Sequence, residues 1–291
     1  MISPEDLKLK RAVQLLCTTG IRRPLTMERV RTWLKQFAVG PEQTLALLVL
    51  RFLIYRTSDQ IQSVLTQALR KTALHFTEDL DEKENVKWRD ILTGKTNLDF
   101  LFGPPAHEYT KPGKSGELIV RLLKLIFAIE SRNIQYPSMV TNLDSNERYI
   151  MIDDGVFTGE QLTSLIASFD AMRITPRQTG IVVAIAHERG LNALQSQFPN
   201  IPVFFGEKIT KEDSLEAHSQ RWVDDGRWPY QDCSPLQVYL DVASVKGNFR
   251  VKQPLGYGGL GLMVAYEHGI PDDSLQLLWD QSETWNPLID R

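Results

Sequence analysis

Over residues 3–92 the apolar positions recur at helical spacing. Leu7, Leu9, Ala12, Val13 and Leu16 form one stripe, and residues 25–37 form a second with Trp33, Leu34 and Phe37 on one side. Pro41 opens a third, strongly apolar helix that runs to Tyr55, as a proline in a first helical turn can. Ser58-Asp-Gln opens a fourth over residues 61–74, and the acidic, mixed stretch 78–87 reads as a surface connector. From Asn97 the period changes. Short apolar runs at 98–102, 149–152, 180–186 and 201–205 alternate with helical patterns at 118–129, from near Gly159, and at 191–197. Runs that stay apolar without alternation mark strands buried on both faces, and their alternation with helices predicts a parallel α/β sheet. The expected organisation is a helical domain over residues 1–92 and an α/β domain over residues 93–291, with another strand near residues 262–266.

Composition narrows this picture only a little. The chain has 291 residues and a net charge of −3 with well-mixed signs. That leaves no global attraction to nucleic acid or anionic membrane. A local basic face remains open, since Lys8, Lys10, Arg11, Arg22, Arg23, Arg29, Arg31 and Lys35 recur among the first helices; solvated helix faces look the same. Cys17 and Cys233 are too few and too distant for a disulfide framework or metal site, and fit a reducing, cytoplasmic setting. No signal peptide is expected, because Met1-Ile-Ser-Pro leads directly into a charged helix. The longest apolar run, 44–54, is interrupted by Arg51 and is too short to span a bilayer.

Candidate chemistry concentrates in Tyr149-Ile-Met-Ile-Asp-Asp-Gly-Val-Phe-Thr-Gly-Glu-Gln-Leu162. Asp153 and Asp154 stand where the strand is expected to end. Gly155 and Thr158-Gly159 supply a sharp turn. Leu162, Leu165, Ile166 and Phe169 then continue as a helix. Ligands of open parallel sheets bind at the carboxyl ends of strands, and a helix N-terminus there offers free N–H groups to an anion. Two hydroxyl-binding carboxylates beside a phosphate cradle suit a ribose 5-phosphate. The plainer alternative is a strand–turn–helix with Asp as a helix cap. A second strand–loop–helix unit carries Lys111-Pro-Gly-Lys-Ser-Gly116. It is not a nucleotide P-loop, since Glu108 occupies the required upstream glycine position.

Other features compete for attention. His187 ends a strand and reads more simply as a satisfied surface histidine. The second Asp-Asp-Gly, at 224–226, lacks a preceding strand and reads as a turn. Gly256, Gly258 and Gly261 spell G-x-G-x-x-G but precede a strand instead of opening a helix, so they are no dinucleotide fingerprint. His268 beside Glu267 is a candidate acid/base pair or, equally, a structural pair in a turn. Trp279 and Trp285 read as core anchors in preference to base-stacking platforms.

The Asp153 stretch resembles the phosphoribosyl pyrophosphate signature of type I phosphoribosyltransferases. It departs from the signature at Phe157, Glu160 and Gln161. With the helical start around Trp33-Leu34, the strand ending in Glu267-His268-Gly269-Ile270-Pro271, and the close Trp285-Asn-Pro-Leu-Ile-Asp-Arg291, nearly the whole chain resembles the phosphoribosyltransferase-like domain of bacterial conflict systems. Asp272, Asp273 and Ile289-Asp290 depart from that pattern. The resemblance implies an α/β fold with a parallel sheet of the type I phosphoribosyltransferase kind behind an all-helical N-terminal domain. It implies phosphoribosyl pyrophosphate, or a related ribosyl nucleotide, as substrate with Mg²⁺. Asp153 and Asp154 would hold the ribose hydroxyls directly or through the metal. Gly155, Thr158, Gly159 and Glu160 would surround the 5-phosphate. Gly113, Lys114, Ser115 and Gly116 would face the pyrophosphate, and His268 would be a further catalytic candidate. The implied role is an effector of antiphage defence, retron-associated, with a reverse transcriptase–nucleic acid complex or an ATPase as partner and a homo-oligomer as a further expectation. The competing class is a non-catalytic nucleotide-binding module that regulates assembly of a defence complex.

Overall fold

The computed structural model describes residues 4–77, 87–106, 115–140, 142–168 and 176–290. The chain opens with helices α1 (Pro4–Thr18), α2 (Met27–Leu34) and α3 (Pro41–Phe52), then strand β1 (Ile54–Arg56). Helices α4 (Ser58–Phe76) and α5 (Trp88–Leu92) precede β2 (Asp99–Gly103) and α6 (Ser115–Phe127). Next come β3 (Glu147–Val156), α7 (Glu160–Ala167), β4 (Thr179–His187), α8 (Glu188–Gln197) and β5 (Val203–Ile209). The chain finishes with α9 (Leu215–Asp224), α10 (Pro235–Val242) and β6 (Val264–Tyr266), followed by irregular chain. Among the described residues no helix is long and apolar enough to cross a membrane.

Residues 59–209 form one compact unit, built on the parallel sheet β2-β3-β4-β5. Its strands follow the apolar runs of the sequence and extend beyond them. β3 continues through Asp153, Asp154 and Gly155, with Gly155 in register with Ile185, so Gly155 is strand and not turn as expected. β5 likewise continues through Gly206, Glu207 and Lys208 to Ile209. Tyr149, Met151, Ile181 and Val183 share one core with Leu162, Leu165 and Ile166 of α7 and Leu194 of α8. The opposite face is met by α4. Phe76 packs edge-on against Phe100 at 6.0 Å, and Lys71 Nζ donates to the Phe205 carbonyl at 3.2 Å. A Cβ added at Gly206 would lie 2.3 Å from the Val64 carbonyl oxygen, so that glycine admits the helix backbone.

That packing corrects the expected division at 92/93. A parallel sheet buried on both faces needs helices on both, and α4 covers one of them, so the chain groups α4 with the sheet. Residues 1–58 and 210–291 form the other compact unit. Nor is the N-terminal part wholly helical. The third helix ends at Phe52 instead of running to Tyr55, because Leu53 leaves helical geometry at φ −53° and ψ 119°. The buried Arg22 guanidinium collects the freed carbonyls: it donates to Leu50 O, to Arg51 O at 3.3 Å and to Leu53 O at 2.8 Å. Burial lowers its pKa to about 10. Residues 54–56 then pair in parallel with 264–266, Tyr55 opposite Ala265.

The core of this unit closes on the C-terminal stretch. Trp285 is buried and meets Phe37 edge-on at 5.1 Å and Trp33 at 6.2 Å. Both indoles donate to one acceptor, the Leu277 carbonyl, Trp285 Nε1 at 2.9 Å and Trp33 Nε1 at 3.2 Å. Arg29 Nε donates to Leu288 O at 2.9 Å and its guanidinium pairs with Asp290 at 2.6 Å. Gln36 and Asn286 bond twice, at 2.9 and 2.8 Å. Trp279 is only partly buried and donates to Ser274 O at 2.9 Å.

We expect Trp285→Ala to lower the unfolding free energy by about 3–5 kcal/mol, the range for a large buried aromatic. Trp285→Phe should cost less, because the ring contacts survive and Trp33 still satisfies the Leu277 carbonyl. Urea titration followed by circular dichroism measures both. A loss under about 1 kcal/mol for the alanine variant would mean that the tail is peripheral.

Candidate functional site

The carboxyl end of β3 carries the candidate site. Asp153 lies in the sheet register opposite Val183 of β4, beyond the last β2 pair at Met151, and is only 8% exposed. Its Oδ1 accepts from two donors, the Ser115 hydroxyl at 3.1 Å and the Asp154 backbone N–H at 2.9 Å. Burial raises its pKa well above the ordinary carboxylate range, and the neighbouring Asp154 raises it further; the two donors pull the other way. Asp154, at the next strand position, is half-buried.

Ser115 and Gly116 reach this carboxylate as the first two residues of α6, not as part of a glycine-rich loop. Gly116 sits in a tight place. A Cβ there would lie 3.1 Å from Pro104, 3.1 Å from Pro105 and 3.4 Å from Asp153 Oδ1. The proline pair after β2 therefore closes one side of the site. Gln161 Nε2 also touches it, donating to Pro105 O at 3.3 Å. Gly113 and Lys114 lie outside the described residues.

Beyond β3 the turn is confined to residues 157–159. Phe157 and Thr158 are buried, and Gly159 adopts φ 83° and ψ −6° as the N-cap of α7. Gly190 seats this turn. A Cβ at Gly190 would stand 2.7 Å from Phe157 O, and one at Gly159 would stand 3.1 Å from Gly190 O. Neither contact is readable from a single strand–turn–helix motif, since the two glycines belong to successive units. Thr158 Oγ1 accepts from Glu160 N–H at 3.5 Å. Glu160 is exposed in the first turn of α7, where its negative charge suits the positive helix end. Asp153, Asp154, Ser115 and Gly116 are thus brought together, and Gly155, Thr158, Gly159 and Glu160 continue the same strand into the turn and helix.

The remaining candidates have other duties or other places. His187 is buried, not on the surface, and its Nδ1 caps α8 by accepting from Arg189 N–H at 3.1 Å. His268 belongs to the other compact unit, where its ring stacks on Tyr266 at 5.0 Å. Glu267 Oε2 accepts from the Ser58 N–H at 2.7 Å, an anion at the point where α4 starts. Gly256 allows close approach of residues 273–274, a structural reason for the first glycine of the G-x-G-x-x-G string.

No group of three or more acidic, histidine or cysteine side chains suited to a metal occurs among the described residues. The adjacent Asp153 and Asp154 nonetheless fit Mg²⁺ in one circumstance. That ion commonly takes one or two carboxylates and completes its shell with water and substrate phosphates. The donor set fits a metal shared with a phosphorylated substrate and does not fit a cage made by protein alone.

The PRTase-CE family model matches residues 30–291. Among solved structures, the AQ2163 protein from Aquifex aeolicus is similar at 16% identity and a TM-score of 0.30, covering 65% of this chain and 85% of that one. Orotate phosphoribosyltransferase from Aeropyrum pernix is similar at 11% identity and a TM-score of 0.27, covering 53% and 75% respectively. No curated protein matches the chain.

Asp153 gives the site a pH signature. Its folded pKa is raised, so the folded protein keeps a proton that the unfolded chain releases at about pH 4. The native state then binds more protons than the unfolded one, and the contribution of this group to stability falls as pH rises from there through the folded pKa. Asp153→Asn removes the titration. Its stability relative to the parent should climb between about pH 4 and pH 8, read by urea unfolding. A difference that stays flat across that range would mean that Asp153 is ionised throughout.

Proposed function

The chain belongs to the PRTase-CE family, and we propose that it binds phosphoribosyl pyrophosphate or a related ribosyl nucleotide at the carboxyl end of β3 and transfers the ribosyl group. The observation that carries this reading is the adjacent carboxylate pair leading into a turn and the N-terminus of α7, with Ser115 and Gly116 set against Asp153. In such a transfer the bond from C1 to the pyrophosphate oxygen breaks and its electrons leave with pyrophosphate. Positive charge develops over C1 and the ring oxygen while the acceptor forms the new bond. Asp153 and Asp154 hold the 2- and 3-hydroxyls, and negative charge placed there favours the cationic sugar. Backbone N–H groups of the first turn of α7 face the 5-phosphate. Lys114 would stand by the leaving pyrophosphate. Mg²⁺, held by Asp153 and Asp154, would neutralise charge on the phosphates.

The biological role we assign is that of an antiphage effector, retron-associated and restrained by partner proteins. The support is the likeness of its helical start, Asp153 stretch and Trp285 close to the phosphoribosyltransferase-like domain of bacterial conflict systems. A second reading, a non-catalytic nucleotide-binding module controlling assembly, has its own observation. Glu160 places a carboxylate at the helix end where a 5-phosphate is wanted.

Two measurements separate the readings. Phosphoribosyl pyrophosphate with Mg²⁺ should raise the melting temperature, with a stabilisation of about 2.7 kcal/mol at a hundredfold excess over Kd. No thermal shift and no heat in titration calorimetry would remove the site assignment. Asp153→Asn and Asp154→Asn should each slow pyrophosphate release by a factor on the order of 10²–10³, as for one lost transition-state interaction, while the protein stays folded. Lost binding in these variants, from a parent with no turnover, would instead favour the binding module.

A further inference from the structure

Within the unit formed by residues 1–58 and 210–291, α1 and α2 flank a groove whose floor includes Leu47 of α3. Its volume is about 400 Å³, within the range of sites that hold a specific partner group. The floor is apolar: Val13 and Val30 are buried, and Met27 and Leu34 are partly so. The rim is cationic. Lys10, Arg31 and Lys35 line the groove, and no acidic side chain lines it among the described residues.

The three cations are not consumed by the fold. Lys10 Nζ donates to neutral Gln43 Oε1 at 3.3 Å. Arg31 and Lys35 are exposed and enter no ion pair among the described residues. Arg22 and Arg29 behave differently: one is buried on helix-end carbonyls and the other is paired with Asp290 at 2.6 Å. Lys10, Arg31 and Lys35 thus stand apart from Arg22 and Arg29 as a set of three around an apolar floor.

We propose that this groove docks an acidic amphipathic helix of a partner protein. Met27, Val30, Arg31, Leu34 and Lys35 of α2 recur at three- and four-residue spacing, and Lys10, Val13 and Gln14 of α1 do the same. Such walls accept apolar anchors at i, i+3/i+4 and i+7 of an incoming helix. From residue 27 to 35 the wall is about 12 Å long, two turns of a helix. Carboxylates flanking those anchors would meet Lys10, Arg31 and Lys35, and burying the anchors supplies the affinity while the charges set orientation. Single-stranded nucleic acid is the poorer fit. Its binding grooves pair cations with aromatic platforms for the bases, and no aromatic side chain lines this one.

The test uses the full chain and a phage-displayed library of short helical peptides. The expected consensus has Leu, Ile or Phe at i, i+3/i+4 and i+7 with Asp or Glu beside them. The consensus peptide, made synthetically, should bind in a salt-dependent way. The double variant Arg31→Glu/Lys35→Glu, changed only at exposed positions, should weaken it by about tenfold or more. Leu34→Ala should weaken it with the salt dependence retained. Circular dichroism and melting confirm that the variants fold. The proposal is overturned if no helical consensus emerges, if the enriched sequences lack acidic residues, or if binding survives the charge reversal. It is equally overturned if the same reversal abolishes binding of an oligothymidylate probe instead, or abolishes self-association of the chain by ultracentrifugation. Those outcomes would give the groove to nucleic acid or to a second copy.

Discussion

A carboxylate at the end of a buried parallel strand costs free energy that apolar packing does not recover, and the unit built on β2–β5 is arranged around that fact. Asp153 answers it in two ways. It holds its proton to higher pH, and it accepts from Ser115 Oγ and Asp154 N–H through one oxygen. The first response serves the ligand-free protein; the second keeps the carboxyl oriented. A ligand bringing hydroxyl donors or a cation would tip the balance toward the anion, so the cost of burial is offset when the site fills. Gly116 and the Pro104-Pro105 pair follow from the same constraint. α6 has to begin against the carboxylate for Ser115 to reach it, and a Cβ at 116 would press on both prolines at 3.1 Å.

The other unit is organised by a different scarcity, that of acceptors for buried indoles. Trp33 and Trp285 both need a partner for Nε1, and the Leu277 carbonyl serves both. That shared acceptor fixes the segment around Leu277 between α2 and the C-terminal stretch, and Arg29 of α2 and Gln36 just beyond it then bind the backbone of residues 286–288. Sequence-distant ends are thereby joined by hydrogen bonds to main chain, which depend on the identity of the α2 side chains more than on that of the tail residues they grip.

How much of this was legible varies with how local the cause is. The parallel strands announced themselves because both faces of β3 and β4 are buried, so their apolar runs are unbroken. Asp153 and Asp154 were legible because charged residues interrupt such a run at its end. The extension of β3 through Gly155 was not, since only pairing with Ile185 makes that glycine a strand residue. The end of α3 was hidden for a similar reason: residues 44–54 read as one helix, and the Arg22 side chain that collects its last carbonyls is far away in sequence. The role of α4 depends on Phe76 meeting Phe100 and on Val64 meeting Gly206, contacts no periodicity encodes. His187 is buried although it ends a strand, because its Nδ1 caps α8, and strand-end position alone does not encode that.

Two of the three departures from the phosphoribosyl signature, Phe157 and Glu160, then separate on physical grounds. Phe157 is large where small hydroxyl residues are common, yet it is 7% exposed, and its carbonyl packs on Gly190. Its bulk is absorbed by the core and by a glycine in the next strand–helix unit, so it need not intrude on a ligand at the strand end. Glu160 is different, because its carboxylate would compete with a phosphate bound as proposed at the same helix end. As an exposed group it repels through water, where two unit charges at 4 Å interact by about 1 kcal/mol. The repulsion is therefore of a size that weakens a 5-phosphate by severalfold and does not forbid it. Of these two, only Glu160 would bear on the affinity of the proposed site for a phosphate, and neither displaces the adjacent Asp153 and Asp154.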